Sequence, residues 1–128
     1  VAEKYEGKTI LIVDDDPDIV TAISASLSDS GATIETAGDG AKAVKLAEKL
    51  DPDLVILDIM LPQKSGFLVL ERLRAGKQRG DLPHVIMITG NQGRRHRHYA
   101  ESLGVDAYLN KPFSMDRLME SVDQLLSD

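Results

Sequence analysis

Several residues in this sequence stand where their types and spacing could do chemistry. Asp14-Asp15-Asp16 follow the apolar run Ile10–Val13, and Asp58 follows Leu54–Leu57. Thr89-Gly90 follow Val85–Ile88, and Asn110-Lys111-Pro112 follow Ala107–Leu109. Carboxylates brought together raise one another's pKa unless a cation compensates them. A small set of oxygen ligands suits Mg²⁺, which keeps several waters and pairs with phosphate oxygens. Lys111 adds a second, fixed positive charge. Singly, each residue has an ordinary explanation: Asp14 or Asp16 as a helix cap, Asp58 in a turn, Thr89 as a strand-end hydroxyl, Lys111 as a solvated charge. Jointly, at the ends of successive apolar runs, they point to one site.

The elements that must position them are legible. Five short apolar runs recur, at Ile10–Val13, Thr33–Ala37, Leu54–Leu57, Val85–Ile88 and Ala107–Leu109. Three of them are continuous rather than alternating, which predicts parallel strands covered on both faces. Helical stripes lie between and after them: Val20, Ile23 and Leu27; Val44, Ala47 and Leu50; Phe67, Leu70 and Leu73; Tyr99, Ala100 and Leu103; then Met115, Leu118, Met119, Val122, Leu125 and Leu126. Asp16 before Pro17, Ser65 and Ser114 suit helix starts, and Gly31 and Gly104 suit helix ends. The alternation is (βα) five times, and right-handed crossovers make it a doubly wound α/β sheet. Sites in such sheets form beyond the carboxyl ends of the strands, where the residues above fall.

Composition narrows the function. The 128 residues fit one domain: a tail over 1–8 and a folded unit over 9–127. With no cysteine, disulfides and thiolate metal sites are excluded. No run reaches membrane-spanning length and the charged first residues do not resemble a signal peptide, so a cytoplasmic protein with no membrane contact is expected. A net charge of −6 argues against direct nucleic-acid binding.

The blocks Ile10-Leu11-Ile12-Val13-Asp14-Asp15-Asp16-Pro17, Leu57-Asp58-Ile59-Met60-Leu61-Pro62 with Gly66, Ile88-Thr89-Gly90 and Tyr108-Leu109-Asn110-Lys111-Pro112-Phe113 together resemble the receiver domain of two-component response regulators. The likeness runs from about Thr9 to Leu126. It implies a flavodoxin-like sheet in the order 2-1-3-4-5 and a domain phosphorylated by a sensor histidine kinase or a histidine phosphotransfer protein. By the same likeness Asp58 is the phosphoacceptor, and Asp14, Asp15, Asp58 and the Met60 carbonyl hold Mg²⁺. Lys111, Thr89 and Gly90 bind the phosphoryl group. Thr89 and Tyr108 throw the switch, which remodels the face formed by helix 4, strand 5 and helix 5 toward an output domain or downstream protein. A cis Lys111–Pro112 bond is also implied. Such a domain is a signalling phosphoacceptor rather than an enzyme acting on other substrates.

Two features depart from the family pattern. Ser65 replaces the acidic residue common before the glycine, and helix 5 lacks the acidic and arginine pairs typical of winged-helix transcription factors. The last helix ends within two residues of Asp128, so no output domain is expected in this sequence.

Other readings fare less well. Asp14-x-Asp16 superficially matches haloacid-dehalogenase-type phosphatases, but Asp18 stands where those need threonine or valine. A phosphorylation-independent interaction module would not need every site residue intact. The first strand leads into acids rather than a glycine-rich turn, against dinucleotide binding. His84, His96 and His98 read as solvated surface residues, not a metal site. Arg94-Arg95-His96-Arg97-His98 is a basic cluster on an acidic chain, and it fits either a solvated face or a contact for an acidic partner.

Overall fold

A computed structural model describes residues 4–61, 65–78, 80–90 and 93–127. Five strands, β1 (Thr9–Val13), β2 (Thr33–Ala37), β3 (Leu54–Asp58), β4 (His84–Thr89) and β5 (Ala107–Asn110), alternate with five helices. The helices are α1 (Pro17–Leu27), α2 (Gly40–Leu50), α3 (Gly66–Arg74), α4 (Arg94–Ser102) and α5 (Met115–Leu126). All strand pairings are parallel, in the order β2-β1-β3-β4-β5. The expected architecture and strand order are both present.

The continuous apolar runs are explained by two cores, one on each face of the sheet. Leu11, Val13, Val55, Leu57, Val85 and Met87 pack against α2, α3 and α4 through Ala43, Ala47, Leu70 and Ala100. The alternate residues Ile10, Ile12, Leu54, Ile56, Ile86 and Ile88 pack against α1 and α5 through Ile23, Leu27, Leu118, Val122 and Leu126. Strand side chains point to opposite faces in turn, so a central strand covered on both sides must be apolar at every position.

The helix starts are fixed locally. Asp16 accepts the Asp18 N–H at 2.9 Å, Ser65 accepts the Leu68 N–H at 3.3 Å, and Ser114 accepts the Arg117 N–H at 3.3 Å. Each satisfies a helix N–H that has no partner within the helix. Gly104 has positive φ directly after the α4 C-cap Leu103, as a helix end favours, whereas α1 stops at Leu27 with Ser28 as its cap and Gly31, also of positive φ, lies three residues further on.

The described part of the amino-terminal segment is docked. Tyr5 is buried in the α1–α5 core and donates its hydroxyl to Asp123 of α5 at 2.8 Å, while Lys4 pairs with the same carboxylate at 2.8 Å. Burial, reinforced by the Asp123 carboxylate, pushes the Tyr5 hydroxyl up to about 12.

Candidate functional site

Strand register brings the acids together. Val13 of β1 pairs with Leu57 of β3, so Asp14 and Asp58 stand side by side at adjacent strand ends. Thr89 of β4 pairs with Asn110 of β5, and the Lys111 N–H donates to the Thr89 carbonyl at 2.7 Å. The Lys111–Pro112 peptide is cis, as expected. From there Lys111 reaches across the crevice: its Nζ lies 3.0 Å from Asp14 Oδ2 and 3.1 Å from Asp58 Oδ2. The contact with Asp14 depends on the β1–β3 register and has no local signature in the sequence.

Asp14 and Asp58 are each 2% exposed, whereas Asp15 lies at the solvent edge. The inner oxygens are held by backbone: Asp14 Oδ1 accepts the Asp16 N–H at 2.9 Å and Asp58 Oδ1 accepts the Met60 N–H at 3.2 Å. Burial raises the Asp58 carboxyl above its usual range, and Asp14 adds to that; Lys111 and the Met60 N–H oppose it. Burial by itself would lower the Lys111 ammonium, but the two carboxylates outweigh it and hold the group above its ordinary value.

One ammonium group serves two buried carboxylates, so the crevice keeps unspent negative charge. Ligand oxygens of Asp14, Asp15 and Asp58 lie within 4.8 Å of one another. Asp14 Oδ2 is buried, and among the described residues it meets only the Lys111 ammonium, which it shares with Asp58. An all-carboxylate set with one ammonium for two buried carboxylates fits a hard divalent cation such as Mg²⁺.

Gly66 fixes the floor of this crevice. A Cβ there would lie 2.2 Å from the Asp58 carbonyl oxygen and 2.5 Å from Ile59 Cα, and the Gly66 N–H donates to the Ile59 carbonyl at 2.8 Å. The first turn of α3 therefore rests on the backbone that carries Asp58. No side chain larger than hydrogen fits without moving it.

Thr89 is fully buried at the end of β4. Met87 pairs with Tyr108, and side chains two apart on a strand share a face, so Thr89 and Tyr108 lie on the same side of the sheet, one pair apart. The Tyr108 ring packs partly into the α2–α4 core, with the Arg97 guanidinium 5.6 Å from its centre. Gly90 is exposed, and a Cβ there would meet nothing within 4 Å, so the protein's own packing does not demand glycine. The Met60 side chain is 62% exposed beside the site. Pro62 lies outside the described residues.

Two histidines differ from expectation. His96 is half-buried against the Phe67 ring of α3, 5.5 Å between centres, and His84 faces Asp106 with Nδ1 3.5 Å from the carboxylate. Contacts between sequence-distant elements enclose both, which a local reading of helix faces does not see. His98 is exposed, as expected. Among the described residues neither belongs to a metal-binding cluster.

The model of the response regulator receiver domain family matches residues 10–123. This chain belongs to that family. The receiver is 40% identical over 117 residues to the DNA-binding dual master transcriptional regulator RpaA of Synechocystis sp., covering 91% of this chain and 48% of RpaA. It is 39% identical over 120 residues to the alkaline phosphatase synthesis transcriptional regulatory protein PhoP of Bacillus subtilis, covering 94% of this chain and 49% of PhoP. The receiver thus spans about half the length of the curated relatives it matches. Among solved structures, the BeF3-activated receiver domain of Klebsiella pneumoniae RstA superposes with a TM-score of 0.82 at 27% identity, covering 94% of this chain and 99% of that one. The CheY-like receiver domain protein of Methanospirillum hungatei gives 0.81 at 31% identity, with 93% of each chain covered.

Proposed function

We propose that this receiver accepts a phosphoryl group on Asp58 from a phosphohistidine of a sensor histidine kinase or a histidine phosphotransfer protein. The observation that carries the reading is Lys111 Nζ, held 3.0 and 3.1 Å from two buried carboxylates of which Asp58 is the one at the end of β3. In the transfer, an Asp58 oxygen forms the new bond to phosphorus while the bond from phosphorus to the imidazole nitrogen breaks. Charge in such a step sits on three equatorial oxygens, so catalysis is mostly the placing of cations and donors. Lys111 can follow a phosphoryl oxygen without leaving Asp14, and Thr89 and the Gly90 N–H donate from the neighbouring strand end. Asp14, Asp15, Asp58 and the Met60 carbonyl would hold Mg²⁺, which would supply charge to offset the phosphoryl oxygens.

An apolar groove of about 500 Å³ borders Lys111, lined by Ile19 and Ala22 of α1 and by Pro112, Phe113 and Met115. It offers the phosphodonor protein a dry surface beside the nucleophile. Drawing Thr89 toward the new phosphoryl group frees space on the face it shares with Tyr108, and rotation of that ring alters the α4–β5–α5 surface. That surface addresses an output domain or a separate downstream protein, and the likeness to RpaA and PhoP supports a transcriptional output. The receiver unit, residues 9–127, is itself a cytoplasmic signalling phosphoacceptor, without direct nucleic-acid contact and without turnover of other substrates. Among the described residues no helix is long and apolar enough to cross a membrane.

The test is labelling with a small acyl-phosphate donor and Mg²⁺. One acid-stable, base-labile phosphoryl group is expected, absent in Asp58→Asn and slowed at least about tenfold in Asp15→Ala. Undiminished labelling of Asp58→Asn overturns the reading. A phosphoryl group on Asp14 would instead favour the phosphatase chemistry.

A further inference from the structure

The chain has no cysteine, so its four methionines carry all of its readily oxidised sulfur. They are not equally placed. Met87 is fully buried within β4, and Met115 and Met119 of α5 are half-buried against the α1–α5 core. Met60 belongs to neither core and is the most exposed of the large apolar residues described. It is also the methionine at the reacting centre. Its N–H, donated to Asp58 Oδ1, fixes the backbone against the carboxylate while the thioether is left to solvent. An unbranched side chain with three rotatable bonds, placed there, can reach over the mouth of the crevice.

Packing does not account for a large apolar side chain at this exposed position, but its chemistry offers a use. Oxidation follows exposure, so Met60 is the sulfur that a peroxide meets first. In the reaction an S–O bond forms as the peroxide O–O bond breaks. Sulfur gives up two electrons, and the second oxygen leaves as water with both peroxide protons. The sulfoxide is neutral but strongly polar, and its oxygen accepts hydrogen bonds that the thioether takes only weakly. Hydrolysis of an acyl phosphate needs a water whose lone pair faces phosphorus and whose hydrogens point away. An acceptor beside the site holds such a water in line, where a thioether does not. The water oxygen then bonds to phosphorus as the bond to the Asp58 oxygen breaks. That frees the carboxylate and leaves both water protons on the released phosphate.

We propose that Met60 is a peroxide-sensitive modification site, and that its oxidation to the sulfoxide shortens the life of the phosphoryl group on Asp58. The inference rests on Asp58 as phosphoacceptor and adds a second input, an oxidant, at the same place. The Met60 carbonyl is untouched by the change, so the backbone part of the site is the same in both states. Enzymatic reduction of the sulfoxide makes the input reversible.

The test exposes the full chain to a limiting dose of hydrogen peroxide and maps the oxidised methionines by peptide mass spectrometry. The protein is then labelled with a small acyl phosphate and Mg²⁺, and decay of the label is followed after the donor is removed. Met60 should be oxidised at least about tenfold faster than Met87, and ahead of Met115 and Met119. The oxidised protein should lose its label about two- to tenfold faster than the untreated protein. A methionine sulfoxide reductase with a thiol reductant should restore the slow decay. Met60→Leu should decay at one rate whether or not it has met peroxide. Oxidation that falls first on Met115 or Met119 overturns the proposal, as does unchanged or slower decay of protein oxidised at Met60. An undiminished peroxide response in Met60→Leu overturns it too. Each of these results leaves the phosphoacceptor reading standing, whereas an untreated protein that takes no label on Asp58 removes both.

Discussion

At the amino ends of the strands, Asp53 accepts the Thr9 N–H at 2.8 Å and Asp106 accepts the Val85 N–H at 2.8 Å, each tying one strand to the approach of its neighbour. At the carboxyl ends, the two buried carboxylates of Asp14 and Asp58 share one ammonium group. The amino end also holds the buried Arg74, whose guanidinium donates to the carbonyls of Gln78, Asp81 and Pro83 at 2.6–3.2 Å and so folds the α3–β4 connection over itself. At the amino end each acid caps a backbone N–H and the arginine is held by carbonyls, though Arg74 Nε itself has no partner among the described residues; at the carboxyl end negative charge is left in surplus. The difference separates residues that stabilise the sheet from residues that wait for a ligand.

The sharpest way to break this contrast is to disturb the packing that holds the surplus in place. Gly66→Ala drives a Cβ into the Asp58 backbone, which has no flexible end to move aside. We expect a loss of about 3 kcal/mol in urea denaturation together with slower Asp58 labelling. Full stability would mean that the β3–α3 junction yields more readily than its contacts imply.

A pair of substitutions tests the sign directly. Asp106→Ala strips an acceptor from the buried Val85 N–H and should cost about 1–2 kcal/mol. Asp58→Asn should instead stabilise the metal-free protein at neutral pH. Burial raises the Asp58 pKa, so the folded state holds that proton more tightly than the unfolded chain does. Stability then falls as pH rises from the ordinary carboxylate range through the raised value, and the cost is fully present above it. The gain from Asp58→Asn should be clear at pH 7 in a chelator and vanish below the ordinary carboxylate range. Both variants losing stability at pH 7 would erase the distinction between the two ends.

These contrasts also mark what the sequence could and could not disclose. Runs such as Leu54–Leu57 announce buried parallel strands because every position is apolar, and Asp16-Pro17 announces a helix start through local chemistry. Asp53 and Asp106 carry a usable signal, an acid immediately before an apolar strand. Arg74 does not: an arginine at a helix end reads as ordinary charge compensation, and only the carbonyls of Gln78, Asp81 and Pro83 gathered around it reveal its burial. Tyr5 likewise sits in no periodic pattern, so its burial depends on contacts made across the whole chain. At the site, residue types and strand ends were legible, but the sharing of Lys111 between two acids follows from inter-strand register.

The smallest expected effect concerns how long the carboxyl end stays loaded. Met60 stands exposed beside Asp58 and offers no hydrogen bond to orient an attacking water. Asn91, two residues past Thr89 as Met60 is two past Asp58, lies outside the described residues. Met60→Asn should speed loss of the phosphoryl group about two- to tenfold, read as decay of labelled protein. An unchanged or slower decay would remove Met60 from the control of lifetime.

The bond from Tyr5 to Asp123 joins positions 118 apart in sequence and clasps almost the entire described chain into a ring. A ring of that size cannot close early, because the intervening strands must first bring its ends together. Its energy is therefore absent from the folding barrier and falls on the opposite process. The clasp is expected to slow the peeling of α5 from the sheet, which would make the amino-terminal segment a brake on unfolding rather than a guide to folding.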